Sequence, residues 1–368
     1  MIRLLVVDDS ALVRRVLGDL FREAGDFEVA LARDGVEALE ALKTFAPDVI
    51  TLDIQMPRLD GLSCLDQIMV ERPTPVVILS SLTAEGASET VEALALGAVD
   101  VMAKPARALS LESDAFAPGL VETVRNAAGA RLRRTHRLTE RIRRLSMPAR
   151  SASAGRGKSR PTKPAYVPSA LAEPSEAEGL VLVGCSTGGP PALDALLEPL
   201  PADFPWPIVV AQHMPRAFTG ALARRLDGLC ALDVVEVVGP TPLRAGCVYI
   251  GRGDADVIVT RRGRELLALA APADAAYRWH PSVDRLVESA RAVLAAERIA
   301  AVLMTGMGSD GAASLAQLRA DGGWTCAEAE ETAVVWGMPG ELVRAGGASV
   351  VAPLDALAHT LRAAVAPR

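Results

Sequence analysis

From Ile2 to Pro105, apolar runs of strand length alternate with stretches in which apolar residues recur every three to four positions. IRLLVV, FEVALA, DVITLDI, PVVILSS and VDVMAKP read as buried strands, while SALVRRVLGDLFREA, GVEALEALKTF, GLSCLDQIMVE and ETVEALALG read as helices between them. Alternation at this spacing predicts a doubly wound parallel sheet. A second alternation begins near Leu180, with VLVG, PIVVAQH, VYIG, DVIVT, AAVLMTG and SVVAPL as strands and PALDALLEPL, ALARRL, PSVDRLVESARAVLAA and GAASLAQLRADG as helices. The expected fold class is α/β, with two doubly wound parallel-sheet domains.

The segment between them, Ala106–Glu178, differs in kind. Gly119–Leu145 can form a helix with a basic face, RLRRTHRLTERIRRL, and its continuation, PARSASAGRGKSRPTKPAYVPSALAEPSEAEG, has almost no apolar period. Such a stretch cannot bury enough surface to offset its chain entropy and reads as a flexible tether. The expected organisation is a first domain over 1–105, a linker over 106–178 and a second domain over 179–368, with no internal repeat. A chain of 368 residues is long enough for two cores.

The net charge of −6 offers no overall basic field for nucleic acid. No aromatic interleaves with the linker arginines, so they read as a solvated or domain-facing surface. The apolar runs are too short and broken for a membrane span, and Met1 leads directly into VVDDS. A cytoplasmic protein without membrane insertion is therefore expected. Cys64, Cys185, Cys230, Cys247 and Cys326 lack C-x-x-C spacing and read as buried thiols rather than disulfides or zinc ligands.

Two sets of residues carry chemistry. Leu180–Pro191, LVLVGCSTGGPP, holds a G-x-S-x-G between a strand and a helix, the tight turn that stands a serine oxygen clear of the backbone. A glycine-rich turn with a serine N-cap has the same pattern. A nucleophilic serine needs a base, itself oriented by a carboxylate. Of the four histidines, His136 lies in the linker, His359 in the last helix and His280 before a proline. His213 ends the strand PIVVAQ and is the candidate base. Asp310, after the turn Gly306-Met307-Gly308, is the candidate orienting acid, although it also suits the N-cap of GAASLAQL. The order Ser186, His213, Asp310 differs from that of an α/β-hydrolase, where the acid precedes the histidine.

In the first half, Asp8, Asp9 and Asp53 fall at strand ends, so in a doubly wound sheet their carboxylates meet at the carboxyl edge. Clustered carboxylates suit a hard divalent cation such as Mg²⁺, beside which one of them can attack a phosphoryl donor. Ser80 and Lys104 end two further strands and can bind phosphoryl oxygens.

The first half resembles a response-regulator receiver domain, which is flavodoxin-like, through VVDDS, LDIQMPRLDG, ILSS and AKP. The resemblance implies that a histidine kinase phosphorylates Asp53, that Asp8, Asp9 and Asp53 hold Mg²⁺, and that Ser80 and Lys104 sense the phosphoryl group. Val99, Val101 and Met102 stand where many receivers carry an aromatic switch residue. The second half, through LVGCSTGG, AQHMPRAFTGALARRL, PSVDRLVESAR, LMTGMGSDGA and EETAVVWGMPG, resembles the Rossmann-like catalytic domain of the protein-glutamate methylesterases of bacterial chemotaxis. Cys185 and Arg252 depart from that family's usual alanine and proline.

The two resemblances together imply a phosphorylation-activated hydrolase acting on glutamate methyl esters of methyl-accepting chemoreceptors, and deamidating receptor glutamines. Ser186 is then the nucleophile, His213 the general base and acid, Asp310 its orienting residue, and the Met307 N–H an oxyanion donor. Mg²⁺ belongs to the receiver and no cofactor to the hydrolytic step. The other expectations are a monomer and no nucleic-acid partner. A phosphorylation-gated interaction module without activity is the alternative, and a DNA-binding regulator would need a helix-turn-helix where this chain alternates strands and helices.

Overall fold

The computed structural model describes residues 1–81, 83–105, 110, 111, 113, 116–132 and 178–366. In the first half, β1 (Ile2–Val7), β2 (Phe27–Ala32), β3 (Val49–Asp53), β4 (Val76–Ser80) and β5 (Asp100–Ala103) form one sheet in the order β2-β1-β3-β4-β5. Every pairing is parallel. Each strand therefore returns through a helix: α1 (Ala11–Glu23), α2 (Gly35–Thr44), α3 (Gly61–Glu71) and α4 (Ala84–Leu96). Their starts are set locally, since the side chains of Ser10, Asp34, Asp60 and Thr83 accept first-turn N–H groups from extended N-cap positions.

The helix α5 (Ala117–Ala128) extends this domain beyond the boundary expected at 105. Leu120, Val124 and Ala127 form one helical stripe, buried in a cluster with Leu4, Val6, Leu17, Phe21, Val77 and Leu79. The single helix expected over Gly119–Leu145 does not form either. The helix ends at Gly129, a poor helix former, and the Arg131 N–H donates instead to Val334 O of the second domain at 3.0 Å. The rest of the basic stretch and the tether, residues 133–177, lie outside the described residues.

The second half is built on seven parallel strands: β6 (Leu180–Cys185), β7 (Ile208–Gln212), β8 (Asp233–Val237), β10 (Cys247–Gly251), β13 (Ile299–Leu303), β14 (Trp324–Glu328) and β15 (Val350–Ala352). Their order is β15-β14-β13-β6-β7-β10-β8. The chain fills the sheet on the β7 side of β6 first and on the β13 side afterwards, so the switch point, where such sheets place ligands, lies at β6. The helices are α6 (Gly189–Leu197), α7 (Arg216–Leu229), α8 (Val283–Val293), α9 (Ala312–Ala320), α10 (Met338–Arg344) and α11 (Leu354–Val365).

One expected strand belongs elsewhere. DVIVT lies in β11 (Ala255–Arg262), which pairs antiparallel with β12 (Glu265–Pro272) and, through it, with β9 (Thr241–Pro242), in a separate three-stranded sheet. The turn Gly263-Arg264, with Gly263 at φ 62, leaves no room for a crossover helix. The two domains are packed together: Ala87, Val91 and Leu94 of α4 share one hydrophobic cluster with Ala192, Phe218, Ala221 and Leu222 of α6 and α7.

Candidate active site

Ser186 follows β6 at the switch point. Its N–H donates to Thr305 O at 2.9 Å, and its carbonyl accepts from Gly189 N at 2.8 Å and Gln212 Nε2 at 2.9 Å, so the turn is tied to both neighbouring strand ends. Gly188 is left-handed at φ 77, and a Cβ on Gly306 would stand 2.7 Å from the Ser186 Cβ. Glycine at these positions lets the two turns approach. Cys185 points the other way: it is fully buried, its Sγ donates to Gln212 Oε1 at 3.0 Å, and burial pushes its thiol far up. A thiol so held has no usable thiolate.

His213 follows β7, and its Nε2 donates to Asp310 Oδ2 at 2.8 Å. Because the carboxylate accepts, Nε2 carries a proton, and in the neutral imidazole the lone pair lies on Nδ1. Nδ1 is buried and has no hydrogen-bond partner among the described residues. Asp310, after β13, also accepts from Ser282 Oγ at 3.0 Å and from the backbone N–H groups of Val283 at 2.7 Å and Asp284 at 3.0 Å. Those two are unpaired first-turn donors of α8, so the acid sits on a helix N-terminus. Burial alone would raise its carboxyl, but the His213 ring and these amides outweigh burial and hold it below the usual carboxylate range. The N-cap of the following helix α9 is Gly311, not Asp310.

Sequence reasoning did not single out the supports of this pair. Trp279 stacks on the His213 ring, with centroids 5.2 Å apart and planes 14° apart. Ser282, whose N–H donates to the fully buried Asp256 at 2.8 Å, presents its hydroxyl to Asp310. His280 is occupied in that same network, its Nδ1 3.0 Å from Asp256 Oδ1. The block PSVDRL was the available signal, but its role is visible only once α8 points its first turn at Asp310.

Ser186 and His213 line one cavity of about 260 Å³, together with Met307 and with Asp100, Glu122 and Asn126 of the first domain. The first domain thus forms part of the wall. Thr187 Oγ1 donates to Asp100 Oδ2 at 2.5 Å and Gly188 N to Val99 O at 2.9 Å. Burial pushes the Asp100 carboxyl up, against the opposing pull of the Thr187 hydroxyl. Two exposed ion pairs, Glu122–Arg278 at 2.6 Å and Arg131–Glu330 at 3.0 Å, flank these contacts.

At the carboxyl edge of the first sheet, Asp8, Asp9 and Asp53 present oxygens within 4.8 Å of one another. Lys104 Nζ lies 2.6 Å from Asp8 Oδ2 and 2.8 Å from Asp53 Oδ2. Burial, reinforced by the Asp8 charge, pushes the Asp53 carboxyl up in spite of that ammonium. Three clustered carboxylates, two of them buried, form the hard oxygen donor set that Mg²⁺ takes. The Ser80 hydroxyl, on the neighbouring strand end, donates to the carbonyls of Ser81 and Gly86, each at 3.3 Å.

Residues 181–361 match the family described as CheB methylesterase, and residues 4–114 match that described as response regulator receiver domain. The chain is 57% identical to the protein-glutamate methylesterase/protein-glutamine glutaminase 2 of Rhodopseudomonas palustris (strain BisB18), over 97% of this chain and 96% of that protein. It is 49% identical to enzyme 3 of the same name from Rhodospirillum rubrum, over 99% and 96% of the two chains. Among solved structures, the Thermotoga maritima CheB methylesterase catalytic domain is 36% identical, with a TM-score of 0.49 over 51% of this chain and 98% of that one.

Proposed function

Because the chain belongs to the family of chemotaxis protein-glutamate methylesterases/protein-glutamine glutaminases with a receiver domain, we propose that Ser186, His213 and Asp310 carry its hydrolytic reaction. The observation that carries this reading is the His213–Asp310 hydrogen bond of 2.8 Å, which leaves Nδ1 free in a ring that shares a cavity with Ser186. Ser186 Oγ attacks the ester carbonyl while His213 Nδ1 takes its proton. That proton passes to the leaving methoxide, which departs as methanol. Water, deprotonated by the same nitrogen, then attacks the acyl-serine, freeing the glutamate carboxylate and restoring the Ser186 hydroxyl. On a glutamine the same sequence releases ammonia. Asp310 fixes the tautomer and stabilises the imidazolium, and the Met307 N–H donates to the oxyanion. Every step uses groups of this chain and water.

Asp53 is the phosphoacceptor: its carboxylate oxygen bonds to phosphorus as the bond to the kinase histidine breaks. Asp8, Asp9 and Asp53 would hold Mg²⁺, which would supply positive charge beside the phosphoryl oxygens. Lys104 and Ser80 contact those oxygens, Ser80 after turning from Gly86. Docked over the cleft, the receiver narrows access to Ser186, and phosphorylation shifts the pair toward an open arrangement. The substrates are the cytoplasmic helices of methyl-accepting chemoreceptors, and the chain acts in the cytoplasm as a monomer. Among the described residues no helix is long and apolar enough to cross a membrane.

The test is methanol release from a methylated receptor preparation by wild type and Ser186→Ala, with and without a small phosphoryl donor plus Mg²⁺. Release that requires Ser186 and rises on phosphorylation is expected. Equal release from both proteins overturns the assignment of the nucleophile.

A further inference from the structure

The docked receiver puts a carboxylate into the cleft. Glu122 of α5 lines the cavity of Ser186 and His213 and an adjoining one beside Asp310. Its Oε2 accepts from Arg278 Nη2 at 2.6 Å. Among the residues lining these two cavities, Arg278 is the single arginine or lysine, and Asp284 and Asp310 of the second domain line the same cavity as it does. An acidic side chain entering these cavities meets one fixed positive charge in their lining, this guanidinium, which recognises carboxylates through paired N–H donors.

The position of Arg278 is tied to the chemistry. Its guanidinium lies over Trp279, 5.0 Å from the ring centroid, and Trp279 lies on His213. Trp279 therefore touches both the guanidinium and the candidate base. A carboxylate bound at Arg278 is linked to His213 only through Trp279, so it suits a neighbouring side chain of a protein substrate rather than the reacting one.

We propose that Arg278 forms a carboxylate-binding subsite for an acidic side chain flanking the ester on the substrate protein, and that Glu122 of the receiver fills it in the docked state. This deepens the methylesterase reading and rests on it. The receiver then competes with substrate for one cation in addition to covering the cleft, and acid-flanked esters are the preferred substrates.

The test uses the full chain with phosphoryl donor and Mg²⁺, and two synthetic peptides carrying the same glutamate γ-methyl ester, flanked by glutamates in one and by alanines in the other. Wild type is expected to show a KM about three- to fivefold lower for the acid-flanked peptide, the scale of one partly exposed ion pair, and to lose the advantage in high salt. Arg278→Ala, at a side chain two-thirds exposed and so tolerant of truncation, abolishes the preference, and Arg278→Lys restores part of it. Glu122→Gln raises release by the unphosphorylated chain from the acid-flanked peptide. Equal KM values in wild type, or a preference that survives Arg278→Ala, overturn the subsite alone. Hydrolysis of neither peptide by wild type overturns the methylesterase reading, and the subsite with it.

Discussion

Asp310→Asn separates the two tasks assigned to this residue. The carboxylate takes four hydrogen bonds in a buried site, from His213 Nε2, Ser282 Oγ and the N–H groups of Val283 and Asp284. An asparagine has one acceptor oxygen, and its NH₂ group faces donors. His213 then loses the acceptor that keeps its proton on Nε2, so Nδ1 no longer holds a free lone pair in most molecules. By the cost of the wrong tautomer in Ser-His-Asp enzymes, kcat for methanol release should fall about 10³- to 10⁴-fold with KM little changed. Losing the charge at the start of α8 and its charge-assisted bonds should also destabilise the second domain by about 1–3 kcal/mol in denaturant unfolding. The pH dependence has a definite sign. Asp310 is held below its unfolded value, so its stabilisation is complete above the ordinary carboxylate pKa of about 4 and is lost as pH falls through the lower, folded value. The stability gap between wild type and Asp310→Asn should shrink on acidification below about pH 4. A gap that widens there, or a variant with wild-type kcat, refutes the reasoning.

Three further outcomes are expected. Burial raises the Asp100 carboxyl in the docked arrangement, so docking takes up protons. The ratio of phosphorylated to unphosphorylated activity should rise as pH falls, and Asp100→Asn should flatten that rise. All five cysteines are buried, with Cys64 and Cys326 pushed up to about 12. A disulfide-exchange reagent should therefore label none in native protein and five in denaturant, and labelling of the native protein would refute this. Leu120→Ala, at a fully buried α5 position, should destabilise the receiver by about 2–4 kcal/mol in thermal unfolding; a change under about 0.5 kcal/mol would return α5 to the linker.

Strand-end chemistry was legible because it depends only on where a run stops. Asp8, Asp53, Ser186 and His213 all stand at or just past carboxyl ends, and parallel pairing gathers such ends on one edge whatever the loops do, while Asp310 reaches the same edge on the loop that follows β13. What stayed hidden depends on contacts between residues far apart. The apolar stripe of α5 gives no sign of which surface it covers, and its Arg-rich continuation disguised it as linker. DVIVT reads alike in a parallel or an antiparallel sheet, and only the Gly263 turn tells them apart. Trp279 and Asp256 lie in neither a strand-end position nor a motif of catalytic type, so their bearing on His213 and Asp310 emerges only from the packing.

The three proposed catalytic residues follow β13, β6 and β7, which are immediate neighbours in the sheet. Strands there lie about 4.8 Å apart and advance about 3.3 Å per residue. The spacing of nucleophile and base is thus set by ladder register, since Ser186 and His213 directly follow Cys185 and Gln212, and a slip of one residue in β6 or β7 would carry either side chain out of reach, whereas Asp310, well past Leu303, is placed by the first turn of α8. Amide protons on such central strands exchange with solvent only when the whole domain opens. Heat inactivation and loss of the native sheet should therefore share one midpoint, with no partly melted form retaining activity or losing it early.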